Sequence, residues 1–242
     1  MKRYESYFYS SRYEWTAQAA GRILDLVLPR LPPVRSALDV GCGVGAWLSV
    51  LREKGVPEIA GIDGSWVEEK LLRIPPESFR RADLSERLDV GRRYDLAISL
   101  EVAEHLPPAR AAGFVGELAD ASDFVVFSAA IPFQGGYHHV NEQWQSYWVD
   151  LFARRGYVVR DWVRPRLWPD EQIPVWYREN LLLFVAQGRV AELRPAPDGS
   201  EDTVLPFDLV HPQAYLSKVD PESVRYGLSL AKRALKKRWG RT

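Results

Sequence analysis

Two short stretches gather residues whose types and spacing could do chemistry. "YHHVNEQW" (137–144) sets His138, His139, Asn141, Glu142 and Gln143 among the aromatics Tyr137 and Trp144. Gly135 and Gly136 just before it free the backbone to bend. Histidine titrates near neutrality and suits proton removal. A few convergent polar groups between aromatic walls are the make-up of a small-molecule site. His139 is the expected general base, with Glu142 or Asn141 orienting it or the substrate. Neighbouring side chains on an extended chain point opposite ways, so His138 is expected to face away and matter less. Asn141 and Glu142 equally suit a plainer role, capping a helix that begins near Gln143. No metal is expected, because no acid–histidine spacing stands out.

The second stretch, "LDVGCGVGAWL" (38–48), packs Gly41, Gly43 and Gly45 into five positions after an apolar run. Glycine reaches positive φ and lets a ligand approach the main chain, so this is a binding turn. A dinucleotide turn needs G-x-G-x-x-G. Here the third glycine of that pattern is missing, which sets a nicotinamide-dependent oxidoreductase behind other readings. Asp39 beneath the turn would repel a pyrophosphate. It can accept hydrogen bonds from an ammonium, or simply fix the loop. Cys42, with no cation near it in sequence, reads as a small buried hydrophobe lining the turn, not as a nucleophile.

The elements that must position these stretches alternate. Strands are expected at 36–40, 58–63, 78–84, 94–100, 123–130, 157–164 and 180–188. Helices are expected at 12–28, 45–55, 64–73, 108–120 and 144–156, and again from about 221. Such alternation implies βαβ units and a doubly wound α/β sheet of seven strands. Ligands collect at the carboxyl ends of such strands. Three parts follow: an N-terminal aromatic helical lid (1–31), a central domain (32–188), and a C-terminal extension with a basic amphipathic helix (189–242).

Composition is that of a soluble globular chain, with 46% hydrophobic and 26% charged residues. No apolar run is long enough to span a bilayer, and the first residues lack the core of a signal peptide. With one cysteine there is no internal disulfide, and a cytoplasmic location is expected. Net charge is zero, yet seven basic and no acidic residues lie between Arg225 and Arg241. Val224, Leu228, Ala231, Leu235 and Trp239 form an apolar stripe beside them, suited to docking on the domain or on an anionic membrane. One short basic patch is a weak footprint for a nucleic-acid partner.

The D-x-G-C-G-x-G turn resembles motif I of the class I S-adenosylmethionine-dependent methyltransferases, a Rossmann-like fold. "GIDGS" resembles the end of that family's second strand, which implies that Asp63, with Gly64, holds the ribose hydroxyls. "RADLSE" resembles its third-strand acidic segment, implying Asp83 at the adenine amine and Leu84 over the ring. "YDLAISLEVAEHLPP" resembles the fourth-strand signature, with Leu100 and Glu101 lining the methionine end and His105 at the boundary between cofactor and substrate. In this family substrate-binding residues follow strand five, where Tyr137, Asn141, Gln143 and Trp144 fall. The aromatic leader, Tyr4 to Trp15, would fold over the cofactor or pack as an ordinary helix. The resemblance implies S-adenosylmethionine as cofactor and methyl transfer to a small-molecule or sugar/glycan acceptor at a hydroxyl. No N-P-P-Y follows strand four, which argues against the usual amine-methylating nucleic-acid and protein-glutamine enzymes. The alternative is a non-catalytic cofactor-binding protein that meets a partner or anionic surface through its basic tail. The sequence is silent on oligomeric state.

Overall fold

The computed structural model describes residues 6–196, 206–219, 227–228 and 232, with side chains from Tyr13 onward. Apart from Leu228 and Lys232, both exposed, the expected apolar stripe and basic run near the C-terminus lie outside the described residues. The chain divides into a large unit, Met1–Leu209, and a small one, Val210–Thr242. The small unit holds the helix Pro212–Val219, whose start is capped where the Gln213 N–H donates to His211 Nδ1.

The large unit is built on a seven-stranded sheet: β1 Ser36–Val40, β2 Glu58–Asp63, β3 Phe79–Arg81, β4 Leu96–Leu100, β5 Phe124–Ser128, β6 Tyr157–Arg160 and β7 Leu182–Ala186. Its order is β3-β2-β1-β4-β5-β7-β6. Strands β1 to β5 pair in parallel, whereas β7 runs antiparallel to both β5 and β6. The sheet is therefore mixed rather than wholly parallel. Central β1 and β5 are buried along their whole length, as strands covered on both faces must be. The order reverses between β1 and β4, so the connections leaving them part and open a crevice at their carboxyl ends.

Helices cover both faces. Helix α1 (Ser6–Val27) buries Ala19, Ala20, Ile23, Leu24 and Val27 in one core with Trp47, Leu48 and Leu51 of α2 (Ala46–Glu53). The spacing of those α1 residues is one apolar helix face. Of the aromatic leader, Tyr13 meets Ser49 of α2 at 3.2 Å and Trp15 is exposed. Helices α3 (Ala111–Ala121) and α4 (Gln145–Ala153) close the other face through Phe114, Leu118, Trp148 and Phe152.

Two segments depart from the expected elements. Residues 64–73 hold only a 3-10 turn, Glu69–Leu71, because this segment is tied to the glycine turn where Arg73 N donates to Val44 O at 2.8 Å. The sixth strand ends at Arg160, and Val163–Leu167 forms a short helix, α5. Proline 165 has no N–H for a ladder, and the buried Arg164 turns back to Asp161 at 2.6 Å. Arg164 also donates to the carbonyls of Pro206 and Phe207, fastening that strand of chain to the domain. Helix α6 (Val175–Asn180) then leads into β7.

Candidate functional site

The glycine turn leaves β1 with Gly41, Gly43 and Gly45 all at positive φ, of 89°, 54° and 85°. A Cβ on Gly41 would lie 2.2 Å from Val102 Cγ2, so the segment after β4 packs directly on this backbone. Asp63, at the end of β2, closes the turn: Oδ2 accepts from Gly43 N and Oδ1 from Gly64 N, each at 2.6 Å. Burial raises the Asp63 pKa, and those two N–H groups partly offset it. Asp39 lies fully buried below, and burial, then the Asp63 charge, hold it well above the usual carboxylate range. Its Oδ2 has no hydrogen-bond partner among the described residues. Burial, then the same two carboxylates, pushes the Cys42 thiol up, consistent with an inert side chain. Trp66 lays its indole against Gly64, within 2.1 Å of where a Cβ would stand, while its other side stays exposed.

Asp83 and Leu84 follow β3. Asp83 is exposed and accepts from Ser85 N and Oγ, which lower its pKa, and Leu84 is buried beside it. Leu100 ends β4, and Glu101 follows at a φ of 55°. The partly buried Glu101 carboxyl accepts from Gln134 Nε2 at 2.8 Å and from Asn180 Nδ2 at 3.4 Å. Asn180 Nδ2 also meets Gln134 Oε1 at 2.8 Å, so three amide and carboxyl groups from distant segments form one network. Burial raises Glu101, and these amides counter it. Tyr177 lies buried near enough to Glu101 and Asp39 that both carboxylates, after burial, raise its pKa.

The segment after β5 carries the histidines. Backbone N–H groups of Val140 and Asn141 donate to Glu104 O, and Gln143 N donates to Ala130 O. This pins the segment beside the 3-10 turn Ala103–His105. Asn141 is buried, with Nδ2 on Ala103 O and Oδ1 accepting from Gln143 Nε2. Neither Asn141 nor Glu142 caps α4. That helix starts at Gln145, and Asp208 holds Ser146 N at 2.8 Å and Ser146 Oγ at 2.9 Å. Glu142 instead accepts from Phe133 N and Gly135 N and meets His139 Nδ1 at 3.0 Å. His139 stacks edge-on against His105, ring centroids 4.8 Å apart. Burial, then His139, lowers the His105 pKa and favours its neutral form. His138 is exposed at a φ of 57°, its ring edge-on to Tyr137. Tyr137 and Trp144 are largely exposed at 55% and 41%.

The structure therefore brings Asp39, the three glycines, Cys42, Asp63 and Gly64 into one turn. It brings Glu101, His105, His139 and Glu142 to a second cluster at the same edge of the sheet. Gln134, Tyr177, Asn180 and Trp66 were not foreseen. Asn180 and Glu101 are 79 residues apart, and no spacing signals their meeting. Trp66, an aromatic three residues past Asp63, was a signal that could have been used.

A methyltransferase-domain family matches residues 12–121, from α1 through α3. A curated relative, the dTDP-4-amino-2,3,4,6-tetradeoxy-D-glucose N,N-dimethyltransferase of Saccharopolyspora spinosa, is 34% identical over 89 residues. That match covers 36% of this chain and spans about a third of the relative's length (34%). Among solved structures, DesVI of Streptomyces venezuelae superposes with a TM-score of 0.55 at 18% identity, over 74% of this chain and 94% of that one. CalS10, an amino pentose methyltransferase from Micromonospora echinaspora solved with S-adenosylmethionine, gives 0.52 at 17%, over 77% and 98%. Magnesium protoporphyrin IX methyltransferase of Synechocystis, with bound S-adenosylhomocysteine, gives 0.50 at 19%, over 71% and 84%. These likenesses establish the fold. Residues 12–121 thus match a methyltransferase-domain family, and the large unit has the fold of solved S-adenosylmethionine-dependent methyltransferases.

Proposed function

We propose that this chain methylates a sugar-like small molecule at a hydroxyl, using S-adenosylmethionine. The observation that carries the reading is the His139–Glu142 pair at 3.0 Å, held at the sheet edge that also carries the glycine turn. The turn fits the cofactor: three positive-φ glycines bare the backbone, and Asp39 keeps a buried oxygen that a donor such as an ammonium would satisfy. Asp63 and Gly64 would hold the ribose, Asp83 and Leu84 the adenine, and Leu100 and Glu101 the methionine end. When bound, the cofactor supplies a methyl group already activated on a sulfonium sulfur.

What remains for the protein is to orient the acceptor and take its proton. With a carboxylate on Nδ1, His139 carries its proton there and keeps a lone pair on Nε2, the group suited to that proton. Exposed Tyr137 and Trp144 give the flat apolar walls on which a sugar ring stacks, while Asn141 and Gln143 set the segment that presents them. The named activities of the Saccharopolyspora relative and of CalS10 support a sugar acceptor. Both are amino-sugar enzymes by name, so the atom methylated is the point to test. The protein should be incubated with S-adenosylmethionine and matched nucleotide sugars bearing either a hydroxyl or an amine, and products read by mass spectrometry. Methylation of the hydroxyl sugars is expected. Methylation confined to the amines would replace the hydroxyl reading, and no affinity for S-adenosylhomocysteine would remove the enzyme reading altogether.

A further inference from the structure

The group left unexplained by a simple base is Glu104. Its side chain is fully buried, and neither carboxyl oxygen has a well-aligned hydrogen-bond partner among the described residues. A buried carboxyl without partners is costly, and such a group is kept only where something compensates it. The Glu101 and Glu142 carboxyls lie near it.

The geometry around Glu104 is that of a ligand set. One oxygen of Glu104 and one ring nitrogen each of His105 and His139 all lie within 4.8 Å of one another. Atoms sharing a metal at about 2.0–2.2 Å from each lie roughly 3–4 Å apart, so a small closing of side chains completes the site. The backbone builds the arrangement in. Glu104 and His105 are consecutive on one 3-10 turn, and the Val140 and Asn141 bonds to Glu104 O fix His139 alongside. His139 packs on Gly136, where any Cβ would fall 2.1 Å from Nε2. Glu142 on Nδ1 completes a carboxylate–histidine pair, the support that metal-bound imidazoles characteristically carry.

We propose that Glu104, His105 and His139 bind a divalent transition-metal ion, with Glu142 as the positioning residue behind His139. Two imidazoles and one carboxylate suit Mn²⁺, Fe²⁺, Co²⁺ or Zn²⁺ better than Mg²⁺, which prefers oxygen throughout. Three protein ligands leave coordination positions open. A hydroxyl of the acceptor bound there has its pKa lowered by the ion, and a neighbouring hydroxyl can occupy a second position. This deepens the reading of the histidine cluster as the acceptor end and rests on it: His139 then acts as a ligand, and the ion does the work assigned above to a base.

The test uses the full chain, stripped with a chelator, dialysed, and titrated with MnCl₂ and with CoCl₂. Calorimetry should give one site per chain, and Co²⁺ should develop visible absorption bands of a nitrogen- and oxygen-ligated ion. Glu104→Gln and His139→Ala should each weaken Mn²⁺ binding by about 100-fold, and Glu142→Gln by about 10-fold. S-adenosylhomocysteine affinity, measured on the same samples, reports folding and the cofactor site independently. Wild-type protein that binds S-adenosylhomocysteine but neither ion overturns the metal site and leaves the methyltransferase reading standing. Metal binding without S-adenosylhomocysteine binding does the reverse. Undiminished Mn²⁺ affinity in Glu104→Gln also overturns the assignment. Should Glu104→Gln not fold, the wild-type titration and His139→Ala decide the matter.

Discussion

Asp63 and Gly43, twenty residues apart, are joined by a 2.6 Å hydrogen bond that locks the end of β2 to the turn after β1. The other carboxylate oxygen takes Gly64 N and the Trp66 side chain also bonds the carboxyl, so part of its lone-pair capacity is left. Those remaining lone pairs are what a ribose diol would use. Hydrogen bonds to a charged group contribute about 1.5–3 kcal/mol. Asp63→Ala should therefore weaken S-adenosylhomocysteine binding about tenfold or more by calorimetric titration. Unchanged affinity would take Asp63 out of the cofactor site.

Gly41 is required twice over. A residue with a Cβ at its φ of 89° is strained by about 1–2 kcal/mol, and the same Cβ would overlap Val102. Gly41→Ala should lower the melting temperature by several degrees, at roughly 2–4 °C per kcal/mol for a chain of this size, and should weaken cofactor binding. Adding Val102→Ala removes the overlap but not the strain. The double variant should recover part of the stability, and a melting temperature no higher than the single variant's would show that the overlap is not what costs.

How far the sequence could be read depends on what each element needs. Buried runs such as "SALDV" and "FVVFS" announce strands, and the acid after β2 stands where the resemblance put it. The direction of β7 was not legible, because burial along a strand looks the same whichever way it runs. Residues 64–73 misled because their apolar spacing suits a helix, while the deciding contact, Arg73 to the glycine turn, is tertiary. Glu104 was the harder miss. In "EHLP" it reads as one more surface carboxylate, and the segment after β5 that packs on it, through Val140 and Asn141, is distant in sequence.

Asp39 predicts a conflict between stability and binding. Its folded pKa is raised, so the folded chain holds this proton more tightly than the unfolded chain. The contribution to stability is then greatest at low pH and is lost as pH rises from the ordinary carboxylate value through the folded one. Asp39→Asn removes the buried charge. It should raise the melting temperature of the ligand-free protein at pH 8, and the gain should shrink on acidification and vanish below about pH 4. S-adenosylhomocysteine affinity should fall in the same variant. A gain that does not change with pH would mean that packing, not charge, is responsible.

The two adjacent histidines offer the sharpest comparison, since they differ in setting more than in chemistry. His139 is half-buried, meets Glu142 at 3.0 Å and lies edge-on to His105. His138 is exposed, with its ring on Tyr137. Loss of a group that handles the acceptor's proton typically costs about 10²–10⁴-fold in rate, whether that group is a base or holds the ion that replaces one. His139→Ala should therefore lower kcat by that order while S-adenosylhomocysteine affinity stays near the wild-type value. His138→Ala should change kcat little and act, if at all, on KM through Tyr137. Glu142→Gln keeps the shape of the side chain but weakens its hold on Nδ1, so it should lower kcat less than His139→Ala. A purely structural His139 would instead reveal itself as a lower melting temperature with kcat preserved in the surviving fraction. Equal, small effects of both histidine variants would move proton handling to His105 or remove it from the protein's side chains.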